Sequence, residues 1–177
     1  MSAKVREFVP LNVAVLTVSD TRVAEDDTSG DLIAERLEKA NHRVVDRAIQ
    51  RENFEALEAS FRTLVDDPNI DVIVSTGGTG LTQRDITPEA TGKLFDKSIP
   101  GFGELFRTLS YDEIGSSTIE SRAHAGIANG TIVFNLPGSP GACRLAIDSI
   151  ILLQLDARTR PCNLVTLLPR IRHERQP

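Results

Sequence analysis

The sequence predicts an α/β fold on a mostly parallel mixed sheet with one antiparallel strand. Three observations carry this reading. β-Branched runs at residues 13–18, 44–49 and 72–74 alternate with helical patterns, and a β-α-β-α-β order implies parallel strands joined by right-handed crossovers. The third run stops abruptly at Ser75-Thr76-Gly77-Gly78-Thr79-Gly80, a strand-to-glycine-loop junction of the kind that open α/β sheets turn toward ligands. Further on, Asn129-Gly130 sits between two short strand patterns, 123–128 and 131–136, and is a strong hairpin signal. One of those two strands must therefore run against the rest. The parallel one is expected at 131–136, because it too ends in a glycine turn, Pro137-Gly138-Ser139-Pro140-Gly141.

In order along the chain, residues 1–10 read as an N-terminal arm, 11–156 as one domain and 157–177 as a C-terminal arm. Strand 13–18 ends at Ser19-Asp20, and an acidic loop follows that contains Asp27. Leu32, Ile33, Leu37 and Ala40 have helical spacing, with Asn41 as the stop. Asn53 is a good N-cap for a helix from residue 54 to about 65, whose buried stripe is Phe54, Leu57, Phe61, Leu64 and Val65. Thr87-Pro88-Glu89 reads as a cap and first-turn proline for a helix over 88–95, and a second amphipathic helix is expected from about 103 to 109. The last long helix carries Cys143, Ile147, Ile150, Ile151 and Leu155 on its apolar side, with Cys143 as a small core residue. The tail concentrates Arg158, Arg160, Arg170, Arg172 and Arg175. The tail reads either as a solvated extension or as an arm that docks on a neighbouring subunit, since its Leu164, Val165, Leu167 and Leu168 are apolar enough to need burial.

Composition narrows the function. The 177 residues are 40% hydrophobic and 25% charged, with a formal net charge of −5, which disfavours general nucleic-acid binding. Nothing at the N-terminus reads as a signal segment and no apolar run is long enough to cross a bilayer, so a cytoplasmic, membrane-free protein is expected. Two cysteines, Cys143 and Cys162, form no disulfide framework, and three scattered histidines make a zinc site improbable.

The stretch 71–85 carries the chemistry. Thr76, Gly77, Gly78, Thr79 and Gly80 form a loop whose backbone can take positive φ and turn successive amides toward an anion. It matches neither G-x-x-x-x-G-K-[ST] nor G-x-G-x-x-G. Glycines alone also suit a plain turn, but Arg84 and Asp85 follow in the same loop. Anion-binding amides, a cation and a carboxylate thus fall close together. Asp20 is placed by its strand on the same edge of the sheet.

Seven motifs in one order, T-V-S-D (17–20), D-T-S-G (27–30), S-T-G-G-T-G (75–80), R-D-I-T-P-E-A (84–90), P-G-F-G-E (100–104), S-R-A-H-A-G (121–126) and N-L-P-G-S-P (135–140), resemble the MoaB/MogA family of molybdenum cofactor biosynthesis proteins. The ending L-D-A-R-T-R-P-C-N (155–163) is similar to its bacterial MoaB branch. The resemblance implies a three-layer α/β/α sandwich and a molybdopterin site. In catalytic members it also implies transfer of AMP from Mg-ATP onto the pterin's terminal phosphate. By position, 76–80 and Pro137-Gly138-Ser139 would hold phosphates, Asp85 would be catalytic and stand near Mg²⁺, and Ser121 and Asn135 would bind the pterin. Also implied are ATP or GTP as a ligand, other proteins of the pathway as partners, and a homo-oligomer, trimer or hexamer. One residue departs from the pattern. Adenylylating members carry an aspartate in a Pro-Asp-Glu turn after the second strand, where this chain reads Gln50-Arg51-Glu52. The expected function is therefore molybdopterin binding without efficient catalysis, with molybdopterin adenylyltransferase as the alternative.

Overall fold

The computed structural model describes residues 6–173. Its strands are β1 (Asn12–Val18), β2 (Arg43–Gln50), β3 (Val72–Thr76), β4 (Lys97–Ser98), β5 (His124–Ala128) and β6 (Thr131–Leu136). They form one six-stranded sheet in the order β2-β1-β3-β6-β5-β4. β1, β2, β3 and β6 pair in parallel, while β5 runs antiparallel to both β6 and β4. The hairpin between β5 and β6 turns on Asn129 and Gly130, both at positive φ (46° and 73°), which matches the twist of the two strands it joins.

Five helices are packed on the sheet: α1 (Thr28–Lys39), α2 (Phe54–Asp66), α3 (Thr87–Gly92), α4 (Pro100–Ile114) and α5 (Pro140–Ala146). α5 continues through a π-helical stretch, Ile147–Ile151, into a closing turn, Leu152–Gln154. Strand side chains alternate between faces, and the core divides accordingly. Val13, Val15, Val72, Val74, Ile132 and Phe134 face α1, α4 and α5, whereas Ala14, Leu16, Ile73 and Val133 face α2 and α3. The result is three layers, helix–sheet–helix. Because α1 and α2 lie on opposite faces, the strand order reverses between β1 and β3, and that reversal opens a crevice at the strands' C-terminal ends.

Local chemistry sets most boundaries. Asp27 caps α1 by accepting from the Gly30 amide, Asn53 caps α2 through Ala56, and Ser139 caps α5 through Ala142. Asn41 takes φ 66° just after α1 ends. At α3 the expectation fails in detail. Thr87 is the first helical residue rather than the cap, because its hydroxyl donates to the Gly77 carbonyl at 2.9 Å instead. α4 is longer at both ends than its apolar stripe indicated. Pro100 begins it, and the exposed Tyr111 and Ile114 extend it without contributing to the core. The two-residue β4, too short to show an alternation, went unpredicted.

The tail folds back on its own domain. Val165 and Leu168 are buried in the core under α5, and Leu164 packs against it. Arg172 pairs with Asp71 at 2.8 Å and donates to the Ile70 carbonyl at 2.9 Å. Much of the tail's apolar surface thus finds cover within the chain, with Leu167 left 40% exposed. No helix among the described residues is long and apolar enough to cross a membrane.

Phe61 is completely buried between α2 and the sheet. Phe61→Ala should cost about 3–5 kcal/mol, read as a lower urea midpoint with an unchanged denaturant slope.

Candidate functional site

Loops following β1, β3 and β6 converge on one cleft of about 470 Å³. Its walls include Ser19, the loop 76–80, Asp85, Ser121 and the turn 137–139. Most of the residues singled out in the sequence therefore meet at one place. β3 is buried from end to end and hydrogen-bonded on both sides, so it delivers the glycine loop to a fixed point.

Gly77 and Gly78 sit at φ 102° and 65°, a left-handed pair that only glycine takes readily. A side chain is excluded on space as well. A Cβ on Gly77 would lie 2.1 Å from the Val18 carbonyl oxygen, and one on Gly78 2.4 Å from the Thr87 hydroxyl. The loop is therefore pressed onto the end of β1 and onto α3. The Gly77 amide donates to the Leu136 carbonyl at 2.9 Å. Among the described residues, no backbone carbonyl takes up the amides of Gly78 and Thr79. Opposite, Thr76 donates to the Pro137 carbonyl at 2.8 Å, and Ser29 does the same for Gly138, which ties the 137–139 turn to the end of β3 and to the start of α1.

Glu52 and Asp85 line the cleft, whereas Asp20, expected on the same edge, lines a neighbouring cavity instead. Asp85 accepts from the Thr82 amide at 2.9 Å and the Thr82 hydroxyl at 2.7 Å. Burial alone would raise its pKa, but those bonds, the Gly80 amide and the charge of Arg122 outweigh it and hold the carboxyl below its ordinary value. Glu52 behaves in the opposite way. Burial and the nearby negative charge of Asp85 push its pKa up. Arg84 approaches Glu52 at 3.6 Å and contacts Asp20, but it is two-thirds exposed and compensates little. Asp20 also accepts from the Glu52 amide at 3.1 Å, which fixes the turn after β2. Among the described residues no group of three or more metal-type side chains is clustered. Glu52 and Asp85 are a different donor set: two carboxylates whose mutual repulsion a cation would relieve. Mg²⁺ held with a nucleotide takes one or two carboxylates, with phosphates and water completing its shell, and the pair fits that pattern.

The structure also relocates residues. Arg51 does not face the cleft; it lines a neighbouring cavity, and Glu52 is the residue of that turn that reaches the cleft. Asn135 lies beneath the floor, fully buried, with its carbonyl accepting from Ser75 and its amide donating to Thr91 and His124. The His124 Nε2 thus accepts, and its Nδ1 donates to the Arg122 carbonyl at 3.2 Å, which fits a neutral ring whose pKa burial lowers. Asp27 is fully buried as a helix cap, held by Thr17, Arg47 and Arg22. Cys143 is buried in the core, as expected, with its sulfur 3.1 Å from the Thr76 hydroxyl.

Sequence reasoning gave Arg122 no role, yet it clamps the site. Its Nε donates to the Gly80 carbonyl at 2.7 Å, its Nη2 to the Asp85 carbonyl at 2.6 Å, and its own amide to the Thr79 carbonyl at 3.0 Å. Glu89 pairs with the remaining end of the guanidinium. The one available signal was its position inside the S-R-A-H-A-G motif, because the carbonyls it reaches lie some forty residues away in sequence.

Known proteins agree with this architecture. A family model described as a probable molybdopterin binding domain matches residues 14–157. The chain is 52% identical over 163 residues to molybdenum cofactor biosynthesis protein B of Escherichia coli K12, covering 92% of this chain and 96% of that one. A solved structure of a molybdenum cofactor biosynthesis protein B superposes with a TM-score of 0.81 at 39% identity, covering 96% and 98% of the two chains. The tungsten cofactor synthesizing protein MoaB of Pyrococcus furiosus superposes with a TM-score of 0.72 at 35% identity, covering 92% and 98%. Fold and cleft define the class as the probable molybdopterin binding domain. Within it, the chain belongs to the MoaB/MogA family of molybdenum cofactor biosynthesis proteins, on its MoaB side.

A raised carboxyl pKa contributes stability that is present below the unfolded-state value and lost as pH rises through the folded one. Ionised Glu52 therefore costs stability near neutrality. Glu52→Gln should be more stable than the parent at mildly alkaline pH, and the gap should close at acidic pH, as urea midpoints at the two pH values will show. An equal gap at both would assign the strain to packing rather than to charge.

Proposed function

We propose that this protein binds molybdopterin in the cleft at the ends of β1, β3 and β6 and serves the molybdenum cofactor pathway in the cytoplasm. The single observation behind this is the convergence of the 76–80 loop, the 137–139 turn and Ser121 on that cleft, inside a domain of the MoaB/MogA family. The glycine loop and the Ser139-capped start of α5 suit the terminal phosphate, since amides and a helix N-terminus favour an anion. Ser121, on the far wall, is within the same cleft for the pterin's polar edge. Asn135 supports the floor from below and does not itself line the cleft.

A second reading, molybdopterin adenylyltransferase, is favoured by Glu52 beside Asp85. In that reaction an oxygen of the pterin phosphate attacks the α-phosphorus of ATP and pyrophosphate leaves. Mg²⁺ held by these two carboxylates would draw charge off the triphosphate. The chain's own part is to align the two phosphates and to keep Asp85 ionised, which the Thr82 and Gly80 bonds achieve. Against it, the turn after β2 reads Gln50-Arg51-Glu52, without the aspartate that the resemblance gives to adenylylating members. Binding with slow turnover is thus the better-supported function.

The test is a titration with molybdopterin, followed by measurement of AMP-pterin formed with Mg-ATP. Micromolar pterin binding with little product supports the proposal, and absence of pterin binding refutes it. Brisk product formation that Asp85→Asn or Glu52→Gln reduces a hundredfold or more, about 2.7 kcal/mol of barrier, would establish the second reading instead.

Self-association belongs to the same proposal. Leu105, Tyr111, Ile114 and Ile119, on α4 and the 3₁₀ turn after it, are 46–80% exposed. Sedimentation should give a homo-oligomer, and Ile114→Glu should shift it toward monomer.

A further inference from the structure

The carbonyl side of the glycine loop is held by two residues. Thr87 takes the Gly77 carbonyl with its hydroxyl at 2.9 Å and the Gly78 carbonyl with its amide at 3.0 Å. Arg122 takes the Thr79 carbonyl with its amide at 3.0 Å and the Gly80 carbonyl with Nε at 2.7 Å. Four consecutive carbonyls are thereby occupied, and the direction of the loop's amides follows from them. Both holders lead to one imidazole that does not itself line the cleft. The Arg122 carbonyl accepts from His124 Nδ1 at 3.2 Å. The Thr87 carbonyl accepts from the Thr91 hydroxyl at 2.8 Å, and the oxygen of that hydroxyl lies 2.9 Å from His124 Nε2. The Asn135 side-chain amide completes the contact, 3.1 Å from Nε2. Phe95 packs against the ring with centroids 5.5 Å apart, and a Cβ on Gly126 would lie 2.3 Å from it.

We infer that His124 is a positioning residue for the glycine loop and that protonation of its ring switches anion binding in the cleft off. In the neutral ring Nδ1 carries the hydrogen and Nε2 accepts from Asn135. A second proton makes Nε2 a donor that faces the Asn135 amide, itself a donor. Asn135 is not free to turn over, because its carbonyl accepts from the fully buried Ser75 hydroxyl at 2.5 Å, which would then lose its acceptor. The imidazolium therefore moves off Asn135 toward the Thr91 oxygen, and the Arg122 carbonyl moves with Nδ1. That carbonyl belongs to the residue that holds Thr79 and Gly80, so the loop's amides lose their aim. Few charges act on the ring. Burial and the charge of Arg122 disfavour the imidazolium, the Arg122 carbonyl and Glu89 of α3 favour it, and the balance lies below the ordinary histidine value. β6 and β3 present only the neutral Asn135 and Ser75. Mild acidification thus charges the ring. The inference deepens the reading of the cleft by naming its regulation, and rests on that reading for the identity of the ligand alone.

Nitrogen NMR of the full chain without ligand, from about pH 7.5 to about pH 5, tests it. The His124 ring should titrate, and the Gly78 and Thr79 amides should shift with the same midpoint. His124→Gln puts an acceptor that takes no proton near the place of Nε2, so in that variant the loop amides should stop titrating. His42, which accepts from the Leu11 amide beside the start of β1, is common to both proteins. The parent's shared midpoint reads the coupling even where the variant does not fold. Over the same interval molybdopterin affinity should fall about tenfold more in the parent than in His124→Gln, the worth of one buried hydrogen bond. The pterin phosphate titrates alike with both. A ring that stays neutral down to acid unfolding, loop amides that do not follow the ring, or amides that titrate equally in His124→Gln overturn the inference. So does tighter pterin binding by the acidified parent than by the variant, which would assign the effect to the ring's charge. Loop amides that follow His124 in a chain that binds no molybdopterin remove the pterin reading and leave the coupling of ring to loop standing.

Discussion

Everything at the site depends on β3 being paired on both sides and buried on both faces. Val72, Ile73 and Val74 are completely covered, and β1 and β6 take up the strand's backbone groups. A buried strand cannot shift register without exposing its apolar set and stranding polar backbone. The glycine loop at its end therefore starts from a fixed point, and the close approach of Gly77 to the Val18 carbonyl keeps it there. Loops that would be mobile on a half-exposed strand are held by the core itself. Arg122 then fixes the far side of the loop to Asp85 through carbonyls rather than carboxylates, which leaves the acid groups available to the cleft.

The two carboxylates facing the cleft illustrate how neighbours set different roles for one functional group. Asp85 is supplied with donors and stays ionised; Glu52, lacking them, is pushed toward its neutral form by burial and by Asp85. Such divergence within a short distance is more usual at ligand sites than on a structural surface. Arg84, exposed and reaching inward to Asp20 and Glu52, is a solvent-facing counter-charge. A cation arriving at the rim would compete with Arg84 for these carboxylates, and a polyphosphate would compete with them for Arg84.

Much of this was legible in the residues. Continuous apolar, β-branched runs marked β1, β3 and β6 because both faces of those strands are buried, and Asn129-Gly130 fixed the direction of β5 through its turn geometry. The glycine loop, the 137–139 turn and Asp85 were found because each follows a strand signal. What escaped depended on distance in sequence. Arg122 binds carbonyls brought to it only by the fold, and the diversion of the Thr87 hydroxyl to Gly77 needs the packed loop. Position 51 shows a subtler limit. Matching by order assigned Arg51 to the place of a carboxylate, whereas the direction of each side chain in the turn gives the cleft to Glu52 and the adjoining cavity to Arg51. Asn135, a pterin-binding position by resemblance, lies buried beneath the cleft rather than in its wall, a placement set by which face of β6 it occupies.

The π-helical stretch at Ile147–Ile151 has a meaning for the history of the chain. A π-turn is one residue wider than the α-turn it replaces, and it arises when a helix accepts an inserted residue without surrendering the contacts on either side. Here Cys143 and Ala146 before it and Leu155 after it are all fully buried, so both flanks are bound to the core. Removing one residue would leave an ordinary α-turn with both flanks still in phase, whereas winding the same residues as a regular α-helix would turn everything beyond them by about 100° and swing Leu155 out of its place. The widened turn therefore acts as a spacer in phase: it brings the chain out of α5 in the orientation that lets the residues beyond it cover the sheet.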